Sequence, residues 1–221
     1  MIAIVVPAHN EEDLLGDCIK SLIAASVHED LNGEPVEILI MLDDCSDGSA
    51  RVAAIHGVTA HECTYRNVGM TRAEGARMML ERGARWLAFT DADSVVPYAW
   101  LAHQVTLEVD AVCGIVDIDD WSGHSDLVRQ RYDALYRPVD DHRHVHGANL
   151  GVDAQAYQRA GGFKALAVHE DVHLVADLER TGASIAWISG NSVTTSARKD
   201  YRCEEGFGDY LNSLAATSLP R

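Results

Sequence analysis

Short apolar runs alternate with amphipathic stretches along the first half of the chain. The runs IAIVV (2–6), EILIML (37–42) and RWLAF (85–89) predict buried strands. Residues 10–26 and 67–83 carry apolar side chains at helical spacing, and Gly83 predicts the end of the second helix. Strands that are apolar on both faces and alternate with helices indicate an α/β fold with a mostly parallel central sheet.

Polar and small residues predict how the two helices begin and pack. Asn10 is expected to cap the N-terminus of the first helix, because the acidic residues that follow it suit the positive end of a helix dipole. Ala73, Ala76 and Leu80 are expected to face inward on the second helix.

The second half of the chain has a less regular pattern. Residues 110–121 predict a strand, 122–143 a polar stretch that is either helical or irregular, and 144–163 a strand and a short helix that ends at Gly161 and Gly162. Residues 169–182 predict a helix with Val172, Val175 and Leu178 on one side, and 184–189 a last strand. Without a repeat or linker, residues 1–221 are interpreted as a single domain whose tail has a weak helical pattern.

The charge balance restricts the partners. The 221 residues include 18 basic and 34 acidic side chains, a net charge of −16, which disfavours nucleic acid and anionic membrane surfaces. The apolar runs are far shorter than the roughly 18 residues that a membrane span needs, and no signal peptide is visible. Five cysteines without C-x-x-C spacing suggest reduced thiols, so a cytoplasmic protein without an integral membrane segment is expected.

Three predicted strands end in acidic turns, namely PAHNEE (7–12), DDCSDGS (43–49) and DADS (91–94). Ligands of parallel α/β sheets bind beyond the carboxyl ends of the strands, so these turns are expected to crowd one edge of the sheet. The chain lacks a P-loop, a glycine-rich dinucleotide turn after the first strand and a G-x-S-x-G elbow. Those three kinds of site are therefore excluded.

Asp91 and Asp93 are the clearest candidates for metal ligands. If the ligand is a diphosphate, each phosphate–carboxylate pair at about 4 Å costs about 4 kcal/mol at an effective dielectric of 20. A divalent cation between the two groups reverses the sign of the interaction, and hard oxygen ligands suit Mg²⁺ or Mn²⁺. The pair therefore predicts a clamp for a metal and a diphosphate.

Six segments occur in the order in which family 2 glycosyltransferases with the GT-A fold carry them: VVPAHNEEDLLGDCIKSL, LDDCSDGS, NVGMTRAEGAR, FTDADS, GANLGVDAQAYQRAGGF and HED. The chain thus resembles that family over roughly residues 2–200. The resemblance implies a Rossmann-like sheet flanked by helices. It also implies a nucleotide-sugar half (1–95), an acceptor and catalytic half (96–202) and a C-terminal tail (203–221).

The activity implied by the resemblance is an inverting glycosyl transfer. A sugar would move from a nucleotide-diphosphate sugar, UDP-linked by default, to an acceptor hydroxyl, with Asp171 as the general base. The QxxRW motif of processive relatives is missing, which disfavours polymer synthesis coupled to export.

The resemblance also implies roles for individual residues. Asp43 would contact the nucleobase, although Cys45 and Ser46 depart from the usual DDGS turn. Asp93 would bind the metal, and Asp91 would contact the metal, the ribose or the donor sugar. The other donor-site candidates are Pro7, Ala8, Asn10, Glu11, Ala92 and Arg72, the last within a G-x-x-R-x-x-G segment (69–75). Candidates for the acceptor and sugar pocket are Gly147, Asn149 and Glu170, and candidates to close over the diphosphate are Ser196, Arg198 and Lys199.

Several alternatives stay open. His169 is a possible third metal ligand or a plain helix-start residue, and the row of His142, His144 and His146 could bind zinc or form hydrogen bonds beside a sugar. The tail could cover the acceptor site or mediate a homodimer. Two other functions compete: a haloacid-dehalogenase-like phosphatase with Asp91 as nucleophile, and a non-catalytic nucleotide-sugar-binding protein.

Overall fold

A mixed eight-stranded sheet organises the part of the chain that the computed structural model describes, residues 1–198 and 207–216. The strands are β1 (Ile2–Ala8), β2 (Val36–Asp43), β3 (Thr59–Cys63), β4 (Trp86–Phe89), β5 (Ser94–Val95), β6 (Ala111–Asp117), β7 (Leu150–Asp153) and β8 (Ile185–Thr195). The helices are α1 (Leu15–Ser26), α2 (Ser49–His56), α3 (Val68–Glu81), α4 (Trp100–Thr106), α5 (Asp126–Leu135), α6 (Ala154–Ala160), α7 (Glu170–Arg180) and α8 (Phe207–Ala216).

The strand order is β3-β2-β1-β4-β7-β6-β8-β5. The first four strands of this order are mutually parallel, β7 runs antiparallel to both neighbours, and β5 runs antiparallel to β8. The predicted α/β fold is confirmed. Because β1, β2 and β4 are parallel, their three acidic carboxyl ends lie at the same edge of the sheet.

Helices cover both faces of the sheet, which explains why the central strands are apolar at every position. Ile2, Ile4 and Val6 of β1 pack into one buried cluster with α1, whereas Ala3 and Val5 pack into a second cluster with α3, α6 and α7. A third, smaller cluster joins α5 to α8 and holds Leu211 and Leu214. No described helix has the length and apolar character needed to cross a bilayer.

The predicted helix start at Asn10 is wrong. Helix α1 begins at Leu15, and Leu14 occupies the cap position without a side-chain hydrogen bond. Asn10 instead has a left-handed φ of 56°, and its Oδ1 accepts a hydrogen bond of 2.7 Å from the backbone N–H of Ser46. Asn10 therefore joins the turns after β1 and β2, an arrangement that helical spacing alone does not reveal.

Two predicted helix faces are also corrected. Ala73 and Leu80 lie at the margin of the core, and α3 turns a face of Gly69, Arg72, Gly75, Ala76 and Met79 inward. The absence of a side chain at Gly75 allows this close approach, because a Cβ there would lie 2.5 Å from Val5 Cγ1. On α7, Val175 and Leu178 are buried as expected, but Val172 is 45% exposed.

Glycines end several helices, and some short helices and strands lie between the predicted elements. Gly83, Gly161, Gly162 and Gly182 all have positive φ at helix ends or turns, where the sequence places them. The sequence pattern did not predict α2, α4, β3 and β5, which are short or exposed. Four cysteines lie among the described residues as free thiols, and Cys203 lies outside them.

Candidate active site

The carboxyl ends of β1, β2 and β4 open into a cleft of about 1150 Å³. Most of the residues proposed from the sequence line it: Pro7, Ala8, Glu11, Asp43, Arg72, Asp91, Ala92, Asp93, Gly147, Glu170, Asp171, Ser196 and Arg198. His169 at the start of α7 lines it as well, and Lys199 lies outside the described residues. The fold thus brings residues from positions 7 to 198 to one cavity.

Asp43 holds the wall of the cleft that follows β2. Its Oδ1 accepts a hydrogen bond of 2.9 Å from the backbone N–H of Arg66. Its Oδ2 accepts from the backbone N–H of Asn67 at 3.1 Å and from the Thr71 hydroxyl at 2.8 Å. His9, which the sequence analysis did not select, contacts the Asp43 carbonyl oxygen through Nδ1 at 2.6 Å. The buried carboxylate therefore fixes the loop that leads into α3.

Arg72 lies at the centre of the cleft floor. Its Nη1 donates to Glu170 and its Nη2 donates to Asp91, and its side chain is only 4% exposed. We call these three residues the Arg72 triad. Burial opposes the positive charge, but the carboxylates of Asp91 and Glu170 raise the pKa of the guanidinium. Burial raises the pKa of Glu170, Arg72 lowers it in part, and Asp171 adds to the rise.

Gly147 connects Asp171 to the Arg72 triad. The backbone N–H of Gly147 donates to Asp171 Oδ2 at 2.7 Å, and the backbone N–H of Val172 donates to Oδ1 at 2.8 Å. A Cβ at Gly147 would lie 2.5 Å from Arg72 Cζ, so only glycine allows this approach of backbone to guanidinium. The carboxylate of Asp171 is thus oriented from two sides at the rim of the cleft.

Asp93 is a carboxylate in an unfavourable electrostatic environment. Burial raises its pKa to about 7; the negative charges of Asp91 and Glu11 add to this rise, and Arg198 opposes it. Arg198 Nη2 lies 3.4 Å from Asp93 Oδ2, but the arginine is engaged mainly by Glu11, to which Nη1 donates at 2.6 Å. The side chain of Asp93 is 19% exposed and lies 3.5 Å from the Thr195 hydroxyl.

These groups fit a hard divalent cation that is completed by other oxygens. The pKa of Asp93 is raised first by burial and then by the negative charges of Asp91 and Glu11, which Arg198 offsets only in part, and a cation would lower it. The described residues contain no group of three or more His, Cys, Asp or Glu side chains arranged around one metal position, so His169 does not complete such a set. Mg²⁺ and Mn²⁺ commonly use one or two carboxylates together with substrate phosphates and water.

Two of the residues expected in the site lie elsewhere. Asn149 is 1% exposed beneath the cleft, where its Oδ1 accepts from the Trp100 indole N–H at 2.9 Å. Its Nδ2 donates to the carbonyl oxygens of Ile115 and Asn191. Asn149 therefore ties β7 to its neighbours and does not line the acceptor pocket. Asn10 is likewise absent from the cleft lining, because its amide is used by the turn after β2.

Aromatic and imidazole rings line a further part of the cleft, and of these Tyr136 was not expected from the sequence. Tyr136, His144, His146, Phe207 and Tyr210 line it, and we call this set the aromatic wall. The rings of Tyr136 and His144 stack at 4.3 Å, and the ring centroids of His146 and Phe207 lie 6.1 Å apart. The alternation of histidines at 142, 144 and 146 was the available signal, but the contribution of α8 depends on tertiary packing.

Comparisons with solved structures agree with this geometry. TarS 1–349 from S. aureus in complex with UDP-GlcNAc superposes with a TM-score of 0.69 at 12% identity over 96% of this chain and 64% of that chain. The mannosyltransferase PcManGT from Pyrobaculum calidifontis, in complex with GDP-Man and Mn²⁺, gives 0.67 at 19% identity over 90% of this chain and 57% of that chain. At these identities the likeness shows the fold, which is the GT-A fold.

The chain spans less than two thirds of either of those two chains. No curated protein matches it significantly. The sequence profile described as Glycosyl transferase family 2 matches residues 3–164, which is more than half of the chain. This chain therefore belongs to glycosyltransferase family 2.

Proposed function

We propose that this chain is an inverting, metal-assisted glycosyltransferase that moves a sugar from a nucleotide-diphosphate sugar to an acceptor hydroxyl. One observation carries the proposal: a single cleft contains the acidic pair Asp91 and Asp93 and also Asp171, joined through Arg72 and Gly147. A donor diphosphate needs metal-binding carboxylates on one side of the transferred sugar, and an acceptor hydroxyl needs a base on the other side.

The donor occupies the edge formed by residues 1–95. Pro7, Ala8 and Glu11 border the base and ribose. Asp43 accepts a hydrogen bond from an N–H group of the nucleobase. Three hydrogen bonds already use the Asp43 oxygens, but a carboxylate offers about four lone-pair positions, so one remains for the base. Uridine is the default base, and its uracil presents one ring N–H to this position, as thymine and guanine also would. Arg72 holds Asp91 in place beside the ribose and sugar.

Asp93 and Asp91 would hold Mg²⁺ or Mn²⁺, and the donor diphosphate would supply further oxygen ligands. When bound, the ion stabilises the negative charge that develops on the departing diphosphate. Ser196 and Arg198 close over the same diphosphate. For Arg198 this is an exchange of partners, because its guanidinium now pairs with Glu11 and phosphate oxygens offer an equivalent bidentate acceptor.

Asp171 is the general base of the half formed by residues 96–202. Its two oxygens each accept one backbone N–H, which leaves a lone pair on each for the acceptor hydroxyl. The hydroxyl oxygen forms a bond to the anomeric carbon, the bond from that carbon to the diphosphate oxygen breaks, and the hydroxyl proton passes to Asp171. A single displacement without a covalent intermediate inverts the anomeric centre. Gly147 and Glu170 position the base.

The geometry disfavours the two competing functions. A phosphatase with Asp91 as nucleophile does not fit the family to which the chain belongs, and Asp91 Oδ1 is already bound by the buried Arg72. A non-catalytic binding protein would not need Asp171 oriented by two backbone donors at the cleft. Neither the acceptor nor a homodimer follows from these contacts, and both stay predictions.

The direct test is donor hydrolysis. UDP-, GDP- and dTDP-sugars are incubated with the wild type, Asp171→Asn and Asp93→Asn, with Mn²⁺ or Mg²⁺ and with chelator. Asp133→Asn is the matched control, because Asp133 is exposed on α5 away from the cleft. We expect Asp171→Asn to lose about 100-fold or more of the turnover while it still binds nucleotide, and Asp93→Asn to lose metal-dependent binding. Equal turnover in the wild type and Asp171→Asn would remove the catalytic assignment, and NMR of the product anomer tests inversion.

A further inference from the structure

His146 offers the cleft an unused hydrogen-bond donor. The Tyr136 hydroxyl accepts from the backbone N–H of Val116 at 3.0 Å and lies 3.0 Å from His146 Nε2. Tyr136 is 7% exposed, the nearby Tyr132 hydroxyl has no hydrogen-bond partner, and the described residues offer no other acceptor for the Tyr136 proton, so the hydroxyl donates to Nε2. This assigns the His146 tautomer, in which Nδ1 carries the hydrogen.

The Nδ1–H of His146 has no partner among the described residues, and Nδ1 is not one of the buried polar atoms that lack a partner. Because His146 lines the cleft and keeps part of its surface exposed, we assign this N–H to the cleft side of the ring. Burial and the neighbouring His144 lower the pKa of His146 to about 3, so the ring stays neutral at working pH. Burial also lowers the pKa of His144. The aromatic wall thus offers a neutral donor and no histidine charge.

The unused donor belongs to a residue adjacent in sequence to the backbone N–H that orients the proposed base. The residue after His146 is Gly147, whose backbone N–H orients Asp171. The Phe207 ring lies edge-on to the His146 ring with the centroids 6.1 Å apart, and the Tyr210 side chain is 38% exposed. A ligand in this corner therefore meets a carboxylate acceptor, a neutral N–H donor and aromatic rings.

The charges around this corner disfavour an anionic ligand. The four described arginines of the cleft lining each pair with a carboxylate: Arg66 with Asp44, Arg72 with Asp91 and Glu170, Arg143 with Glu179, and Arg198 with Glu11. A phosphate or carboxylate on the acceptor would face Asp171, and the described arginines are committed to carboxylates or, for Arg198 in the proposed function, to the donor diphosphate.

We propose that the acceptor is an uncharged saccharide that packs the C–H face of its ring on Phe207 and Tyr210 and places one hydroxyl on the Nδ1–H of His146, while the neighbouring hydroxyl lies at Asp171. This inference deepens the proposed function and rests on it. Saccharides fit because they combine an apolar ring face with adjacent hydroxyls, one of which accepts and one of which donates. His146 is then a specificity-determining residue.

The test measures acceptor binding separately from catalysis. Saturation-transfer NMR is recorded with the full chain and the methyl glycosides of glucose, galactose, mannose and N-acetylglucosamine, with the matched methyl glucuronide, and with phenol. Each probe is measured without nucleotide and with UDP or GDP plus Mn²⁺. We expect at least one neutral glycoside to bind and the glucuronide to bind about tenfold more weakly or not at all.

Variants assign the binding to the proposed contacts. His146→Phe keeps the ring but removes the donor, so affinity for the glycoside should fall about tenfold, whereas His146→Asn places an amide N–H near the position of Nδ1 and should restore it. Tyr210→Ala should also weaken binding. Tyr98→Ala is the control for an exposed tyrosine, since Tyr98 lies outside the cleft lining and bonds to Glu29. Nucleotide affinity and circular dichroism monitor folding of every variant.

The outcomes separate this inference from the proposed function. Binding of phenol alone, preference for the glucuronide, wild-type affinity in His146→Phe, or no glycoside binding with intact nucleotide binding would overturn the saccharide assignment and leave the transferase proposal standing. Failure of every nucleotide to bind would instead remove the proposed function, whatever the glycosides do.

Discussion

Replacing Gly147 with alanine tests whether the Arg72 triad leaves any room for the guanidinium to move. The new Cβ would lie 2.5 Å from Arg72 Cζ, Nη1 and Nη2, well inside ordinary van der Waals contact. The guanidinium has no easy retreat, because Asp91 and Glu170 hold it from two sides and the Phe163 ring lies 5.8 Å from Cζ. Overpacking of this kind costs about 1–3 kcal/mol, and separating a buried ion pair costs about 3–5 kcal/mol.

We therefore expect Gly147→Ala to lower the free energy of unfolding by about 3 kcal/mol, measured by urea denaturation at neutral pH, and the melting temperature by about 6–12 °C. Gly123→Ala is the control, because nothing lies within 4 Å of its added Cβ, and its effect should stay within about 0.5 kcal/mol. In an Arg72→Met background the same substitution should have a much smaller effect, since the clashing group is gone. A loss below about 1 kcal/mol in the otherwise wild-type chain would show that the guanidinium can move.

Three further predictions concern stability. Arg72→Met leaves Glu170 buried without its cation and should lower the free energy of unfolding, measured in urea, by about 3–5 kcal/mol. The exposed Arg77→Met should leave that free energy nearly unchanged, and similar losses in both variants would contradict the special role of burial. Asn149→Ala should lower the free energy of unfolding, measured by calorimetry, by at least about 2 kcal/mol and leave nucleotide affinity unchanged, because three buried groups lose their hydrogen bonds. A loss of nucleotide affinity without a loss of stability would instead indicate that Asn149 belongs to the site. The pKa of His146 is about 3 in the folded chain and about 6.5 in the unfolded chain, so protonation of the unfolded chain lowers the free energy of unfolding as the pH falls below about 6.5. Between pH 7 and 5 the wild type should therefore lose about 2 kcal/mol of this free energy relative to His146→Asn. Parallel pH profiles of the two proteins would refute this.

The acidic edge of the sheet was predictable because it depends on local pattern. Strands β1, β2 and β4 are apolar on both faces, so their ends could be placed, and parallel pairing brings those ends together. Asp43, Asp91 and Asp93 therefore reach one cleft as predicted from position alone. Their chemical roles are proposals that need the experiments above.

Residues that depend on distant partners were less predictable. Asn149 is buried by Trp100 and Asn191, which lie 49 and 42 positions away, and Asn10 is fixed by Ser46, 36 positions away. The strand β3 carries polar, exposed residues at the sheet edge, so its sequence lacks the apolar signal of the central strands. Local spacing has no access to these pairings, since they form only when the sheet assembles.

The close approach of Gly147 to Arg72 also indicates how the catalyst could be re-engineered. Positions 72, 147 and 170 tolerate almost no change in volume, so randomised libraries that include them should yield mostly misfolded clones. Positions 144 and 210 line the same cavity, and their side chains do not take part in that ion-pair network. Directed evolution toward new acceptors should therefore start there and leave the glycine untouched.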